Sequence, residues 1–190
     1  MVIASLNQLH SKYPDELQKG ISQFECHRDH DLVDFLQSRS VLFEQKAKSR
    51  TYLIIDEEEL PRGNISIVAY FSVAPQIMYI PPNLSVRKIQ RLDGFSGKIH
   101  GKKINALPVF LIGQLAKNDH YAESITGHGV LRYVWSIIGK VYNAIGGRIV
   151  MVDVKSSADG LIRFYEREGF KFVSADADTG LSQLIYMLNE

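Results

Sequence analysis

Cysteine is almost absent from this sequence. Cys26 is the only one in 190 residues, so no disulfide can form within the chain, and the composition suits a reducing compartment. Net charge is nearly absent too. Twenty-two Lys and Arg stand against 21 Asp and Glu, a formal charge of +1, which excludes a protein that is basic or acidic as a whole. No apolar run is long enough to span a bilayer, because the best stretch, Ile65 to Ile80, is interrupted by Ser66, Ser72, Pro75 and Gln76. The opening residues MVIASLNQLHSKYPDE lack the apolar core of a signal peptide. A cytoplasmic protein with no membrane partner is the expectation. Internal repeats and low-complexity linkers are also missing.

What is there is an ordinary globular composition, 45% hydrophobic and 23% charged. That is enough to bury a real core, and the length fits one domain over residues 1–190. Asp29 or Asp31 can cap a helix running towards Lys48, with Leu32, Phe35, Leu36 and Phe43 on one face. RTYLIID and ISIVAYFSV read as strands, the second buried on both faces. Ser85 can cap VRKIQRL, which Asp93-Gly94 ends. PVFLIGQLA from Pro108 is a further strand, followed by the polar loop KNDHYAESIT. After Gly129, apolar residues at Val130, Val134, Ile137, Ile138, Val141 and Ile145 recur at spacings of three and four, as a helix packed on a sheet requires. Gly146-Gly147 stops that helix, RIVMVDV is a strand, and LIRFYERE is a helix closed at Gly169. FKFV and SQLIYML form a last antiparallel pair around DADTG. The order implies an α/β (α+β) protein containing a βαβ unit in a mixed sheet.

Gly127 and Gly129 stand just before the long helix. A helix start offers unpaired N–H groups and the positive end of the helix dipole, and glycine lets a bulky anion approach. Two phosphate motifs fail here. The P-loop needs Gly-Lys-Ser/Thr, which does not follow, and the dinucleotide fingerprint needs glycine where Arg132 stands. A plain turn remains the competing reading.

Taken together, PVFLIGQLAKND, TGHGVLRYVW, GGRIVMVDVK and LIRFYEREGFKF resemble the GNAT family of acetyl-coenzyme A-dependent N-acetyltransferases. FECHRDHDLVDFLQSRSVLFEQKAKSRTYLIID is similar to the first helix and strand of the branch containing acetyltransferase toxins of bacterial toxin–antitoxin pairs. The resemblance covers most of the chain from Phe24 onward; residues 1–23 are an extension without a chemical reading. It implies the GNAT fold: a mostly antiparallel central sheet, helices on both faces, and a splayed strand pair that holds acetyl-CoA as cosubstrate.

Carried over residue by residue, the family's Arg/Gln-x-x-Gly-x-Gly/Ala segment falls on Thr126, Gly127, His128, Gly129, Val130 and Leu131. Thr126 replaces Arg/Gln and Leu131 replaces the last Gly/Ala. A shift of two residues restores the final glycine but puts Ser124 first. The lost Arg/Gln removes a side chain that ties the loop down, so weaker binding of acetyl-CoA is expected. The splayed strand places the backbone of Leu115, Ala116 and Lys117 beside the pantetheine arm. Tyr165, in the FYEREGF segment, is the family's acid that protonates the departing thiolate; the alternative is a half-buried helix aromatic. No residue stands out as base. Asp119, His120, Glu123 and His128 read as solvated loop residues.

Cys26, His27 and His30 in CHRDHD are conceivable zinc ligands, but no second Cys or His pair answers them at a ligand spacing, and a helix entry rich in capping residues explains them. No metal is expected. Arg87, Lys88, Arg91, Lys98, Lys102 and Lys103 cluster around a single acid, Asp93. That patch suits an RNA or acidic acceptor, the cofactor's 3′-phosphate, or simply solvent. The resulting expectation is an N-acetyltransferase acting on a small amine, peptide or protein. The alternatives are toxin-like acetylation of aminoacyl-tRNA and a GNAT-fold binding module without turnover. The family also makes a homodimer an open expectation.

Overall fold

The computed structural model describes residues 1–188. Its strands form a seven-stranded sheet in the order β1-β2-β3-β6-β7-β9-β8, and β4 and β5 make a separate two-stranded hairpin. The chain divides into two compact units, residues 1–74 with 113–139 and residues 75–112 with 140–190. Two long strands, β3 (Ile67–Tyr79) and β6 (Ala106–Lys117), run through both.

In the first unit, β1 (Val2–Ser5) pairs antiparallel with β2 (Arg50–Ile55), and β2 with the start of β3. Residues 1–23 are therefore part of the fold. They supply an edge strand and the helices α1 (Leu6–Lys12) and α2 (Pro14–Ser22), with Leu6, Leu17 and Ile21 buried. Pro14 sits at the first helical position, where its missing N–H costs nothing. The helix expected towards Lys48 is in three parts: α3 (His30–Asp34), a π-helical turn over Phe35–Arg39, and α4 (Ser40–Gln45). Asp29 is the cap, accepting the Asp31 N–H at 3.2 Å. The wider turn carries Phe35 and Leu36 into a core with Phe24, Leu53, Ile67 and Tyr70. Tyr70, fully buried, satisfies its hydroxyl by donating to Leu32 O at 2.5 Å. Ile67 to Ser72 are all buried, as expected of a strand covered on both faces.

The second unit holds α5 (Val86–Asp93), the hairpin β4 (Lys98–Ile99) and β5 (Lys102–Lys103), and the strands β7 (Ile149–Lys155), β8 (Lys171–Asp176) and β9 (Leu181–Met187). Ser85 Oγ caps α5 by accepting the Lys88 N–H, and Gly94 closes it at φ 79°. Antiparallel ladders join β7 to β9 and β9 to β8. The ladder between β6 and β7 is parallel: Phe110, Leu111 and Ile112 of β6 face Val150, Met151 and Val152 of β7. The connection is α6 (Gly127–Ile145), so β6–α6–β7 is the βαβ unit read from the sequence. Beyond Ile112 and Val152 that ladder ends, while β6 continues to Lys117. Met78, Ile89, Leu92, Leu107, Val109, Ile149, Met151 and Ile185 form this unit's core.

Candidate active site

The first unit contains the end of β6 and the start of α6. Ala116 is buried in the core, whereas Leu115 and Lys117 are half-buried. The turn after β6 is anchored by Asn118, which is buried. Its amide Nδ2 donates to Ile67 O at 2.8 Å, its backbone N–H donates to Val68 O at 2.9 Å, and its Oδ1 accepts the His120 N–H at 3.1 Å. A short 3₁₀ turn, Asp119–Tyr121, follows.

Lys117 fastens the rest of this loop. Its Nζ donates to Ala122 O at 2.9 Å and to Ile125 O at 2.8 Å. A cation thereby sits under the segment that leads into α6, and the carbonyls beside the helix start are already occupied. The sequence assigned only the backbone of Lys117; its side chain ties down the loop, the task that the missing Arg/Gln leaves open.

The helix begins earlier than expected. Gly127 and Gly129 lie in the first turn of α6, not on a loop before it. Thr126 explains this. Its carbonyl accepts the Val130 N–H at 3.0 Å and its Oγ1 accepts the Gly129 N–H at 3.1 Å, so Thr126 is the N-cap. Gly129 has a packing reason as well, since a Cβ there would lie 2.9 Å from Cγ1 of the buried Ile125. Gly127 and Gly129 are partly exposed, Thr126 and His128 exposed, and Val130 and Leu131 turn into the core. The solvent-accessible part of the segment is thus Thr126 to Gly129. Val130 and Leu131 act by seating the helix.

Acidic and imidazole groups crowd the same loop. Asp119 Oδ2 accepts the His27 backbone N–H at 2.7 Å and lies 2.6 Å from His27 Nδ1. The hydrogen bond to Asp119, and then its charge, raise the His27 pKa; the backbone and ring bonds from His27 hold Asp119 below the usual carboxylate range. His120 Nε2 lies 3.4 Å from Glu25 Oε2. Cys26 is buried and burial raises its thiol pKa, while His30 begins α3. Among the described residues no three His, Cys, Asp or Glu side chains converge as metal ligands would.

In the second unit, Tyr165 lies on α7 (Asp159–Arg167), 5% exposed, with its ring edge-on to Phe164 at 5.1 Å and Phe170 at 5.2 Å. Burial raises its pKa well above the ordinary phenol value, so the hydroxyl keeps its proton throughout the neutral range. The basic residues named from the sequence lie on α5 and the β4–β5 hairpin, and Arg87, Lys88, Arg91, Lys98, Lys102 and Lys103 are all exposed.

This arrangement is the GNAT fold. No protein-family model and no curated protein sequence matches the chain. Solved structures do. AtaT complexed with acetyl-methionyl-tRNAfMet aligns over 98% of this chain and 94% of that chain, with 15% identity and a TM-score of 0.70. AtaTR bound with AcCoA aligns over 98% and 92%, with 16% identity and a TM-score of 0.70. A tyrosine-to-phenylalanine mutant of KacT aligns over 98% and 94%, with 16% identity and a TM-score of 0.69. The likeness runs the length of the chain, so residues 1–23 belong to the shared architecture. No helix among the described residues is long and apolar enough to cross a membrane.

Proposed function

We propose that this protein is an acetyl-CoA-dependent N-acetyltransferase that passes the acetyl group directly to a primary amine of a small molecule, peptide or protein. The observation that carries the reading is the start of α6: a half-exposed, glycine-containing first turn, capped by Thr126, on a loop pinned by the Lys117 ammonium. A nineteen-residue helix directs its positive end there, and a diphosphate is the group such an end holds best. The fit has one cost. The Gly129 N–H already serves the Thr126 hydroxyl, so an incoming phosphate oxygen must share that donor or displace the cap.

In this reading the backbone of Leu115, Ala116 and Lys117 lies along the pantetheine arm, and the Thr126–Leu131 segment holds the diphosphate. The amine nitrogen attacks the thioester carbonyl, the carbon–sulfur bond breaks, and the thiolate takes the phenol proton of Tyr165. The ammonium proton formed on the product nitrogen leaves to water, and the phenol is reprotonated from solvent. No covalent enzyme intermediate is needed.

The exposed basic surface of α5 and the hairpin favours a second reading, in which the amine is that of an aminoacyl-tRNA; AtaT is the neighbour captured with an acetylated one. Two measurements test the proposal. Calorimetry should show binding of acetyl-CoA and CoA. Thiol release across a panel of amines, with mass spectrometry of charged tRNA alongside, should identify the acceptor. Binding without release for any acceptor would mean a GNAT-fold module without turnover, and no binding at all would refute both.

A further inference from the structure

Asp153 is the first residue of β7 past its last parallel partner on β6, because the ladder between the two strands ends at Ile112 and Val152. Residues directly opposite each other on paired strands share a face of the sheet, and neighbours along a strand alternate. Val150 is opposite Tyr186 of β9. The Tyr186 ring lies 5.6 Å from Phe170, and Phe170 lies 5.2 Å from Tyr165. Tyr165 therefore packs on the face that carries Val150 and Val152. Met151 and Asp153 belong to the other face, where Met151 joins the core with Ile89 and Leu92 of α5.

On that face Asp153 stands opposite Gln183 of β9, and Gln183 opposite Ser174 of β8, so their side chains form a row across the strands. Ser174 Oγ donates to Gln183 Oε1 at 3.3 Å, which occupies the amide oxygen and leaves the amide nitrogen to donate to the Asp153 carboxylate. Asp153 is exposed, yet enough protein surrounds its carboxyl to raise its pKa. Desolvation outweighs the hydrogen bond from Gln183, and among the described residues no cation pulls the pKa back down. A carboxylate held in this way is a stronger base than a free aspartate, and solvent can still carry its proton away.

We infer that Asp153 is the base of the acetyl transfer, accepting the proton that the amine sheds as it attacks; this rests on the acetyl-transfer reading above. A thioester lying where β7 parts from β6 has the Tyr165 phenol on one face of the sheet and the Asp153 carboxylate on the other. Acid and base then address sulfur and nitrogen from opposite sides. The amine nitrogen bonds to the thioester carbon, the carbon–sulfur bond breaks, and the thiolate takes the phenol proton. The extra proton on nitrogen passes to Asp153 rather than directly to water. Asp153 releases it to solvent, Tyr165 regains a proton from solvent, and both groups return to their starting states.

The test follows thiol release from acetyl-CoA by the full chain, with glycinamide, a short peptide with a free N-terminus, and charged tRNA as probe amines. The fastest is carried through a pH series, in which kcat/KM should fall below a pKa above the ordinary aspartate value. Asp153→Asn keeps the size and an accepting oxygen. It should lower kcat about a hundredfold and abolish that acid limb, with CoA affinity in calorimetry within about twofold of the unmodified chain. Gln183→Met removes the bond that lowers the Asp153 pKa, so the limb should move to higher pH; a merely structural role would lower the rate without moving it. An unaltered rate in Asp153→Asn, a limb that survives there, or a limb lost instead in His27→Gln would overturn the inference and leave acetyl transfer standing. Absence of thiol release with every probe amine from the unmodified chain refutes the acetyl-transfer reading itself, and the inference with it. If a variant fails to fold, carbon-13 NMR of the unmodified chain decides: the Asp153 carboxyl should titrate at the midpoint of the acid limb, and a different midpoint overturns the assignment.

Discussion

Lys117→Met is the substitution that most directly tests how the helix start is built. The methionine keeps the length and apolar stem of the side chain but removes both donors. Lys117 Nζ holds Ala122 O at 2.9 Å and Ile125 O at 2.8 Å, one in exposed and one in part-buried surroundings. Hydrogen bonds from a charged donor contribute about 1.5 kcal/mol each at the lower end of their range. Immobilising a lysine costs up to about 2 kcal/mol of rotamer entropy, so a net loss of only about 1 kcal/mol in global stability is expected. The local effect should be larger. Without the ammonium, the segment between the Asn118 anchor and the Thr126 cap has lost its cross-link, and two carbonyls beside the helix start are freed towards any bound anion. Affinity for CoA should fall about tenfold, close to 1.4 kcal/mol, from disordering and the lost positive charge. Urea denaturation would report the first quantity and calorimetry with CoA the second, while hydrogen exchange at residues 119–126 would show whether the loop has opened. CoA affinity within twofold of the unmodified protein, with the loop's exchange demonstrably faster, would refute the claim that this pin shapes the diphosphate site.

Three further outcomes follow from the same geometry. Tyr165→Phe should lower turnover about a hundredfold, the modest return expected when an acid assists a good leaving group, with CoA affinity unchanged in calorimetry; unaltered turnover would remove the acid role. Asp119→Asn should return the His27 pKa towards its ordinary value in an NMR titration of the ring. In the unmodified protein the pair's stabilisation is lost as pH rises through the raised His27 pKa, because the folded state then surrenders a proton it had held more tightly than the unfolded chain. It is lost again as pH falls through the depressed Asp119 pKa. Thr51→Val should stabilise the first unit by about 1 kcal/mol in denaturant titration, since Thr51 is fully buried and its Oγ1 has no hydrogen-bond partner among the described residues.

The parts of the fold legible in the sequence are those whose signal is local and repeated. Helix α5 was bracketed by its own cap and stop, Ser85 and Gly94, and the stripe from Val130 to Ile138 marked the buried face of α6. The first 23 residues carried no such signal. Helices α1 and α2 span seven and nine residues, too short for a periodic pattern to stand out, and β1 is a four-residue edge strand recognisable only by its register on β2. The π-helical turn was hidden for a related reason: one extra residue per turn leaves composition unchanged and shows only as the combined burial of Phe35 and Leu36. At the candidate site, a local clue was present and outweighed. Thr126 is a good N-cap residue, which alone would have started α6 at Gly127, but two glycines read as loop because glycine is costly inside a helix. In the first turn that cost is small, because the residues there have few intrahelical bonds to lose.

Lys117 and Arg148 show where sequence reasoning stops for a physical cause. Lys117 is bonded to backbone carbonyls, which every residue possesses, so neither Ala122 nor Ile125 could announce itself as its partner. Arg148 donates from Nε to the backbone carbonyl of Leu92 and has no ion pair among the described residues, and neither fact can be read from the sequence around it. Both cases separate two kinds of information. A fold is written in periodic apolar positions that any chain of this pattern must bury, and it persists at 15% identity. An acceptor or a partner is selected by single charges on loops and strand ends, which packing barely constrains. In the proposed reading the helix start of α6 holds a thioester nucleotide with an altered motif, while the choice of amine falls to exposed surfaces such as α5 and the basic hairpin, where a substitution can be made without disturbing the core.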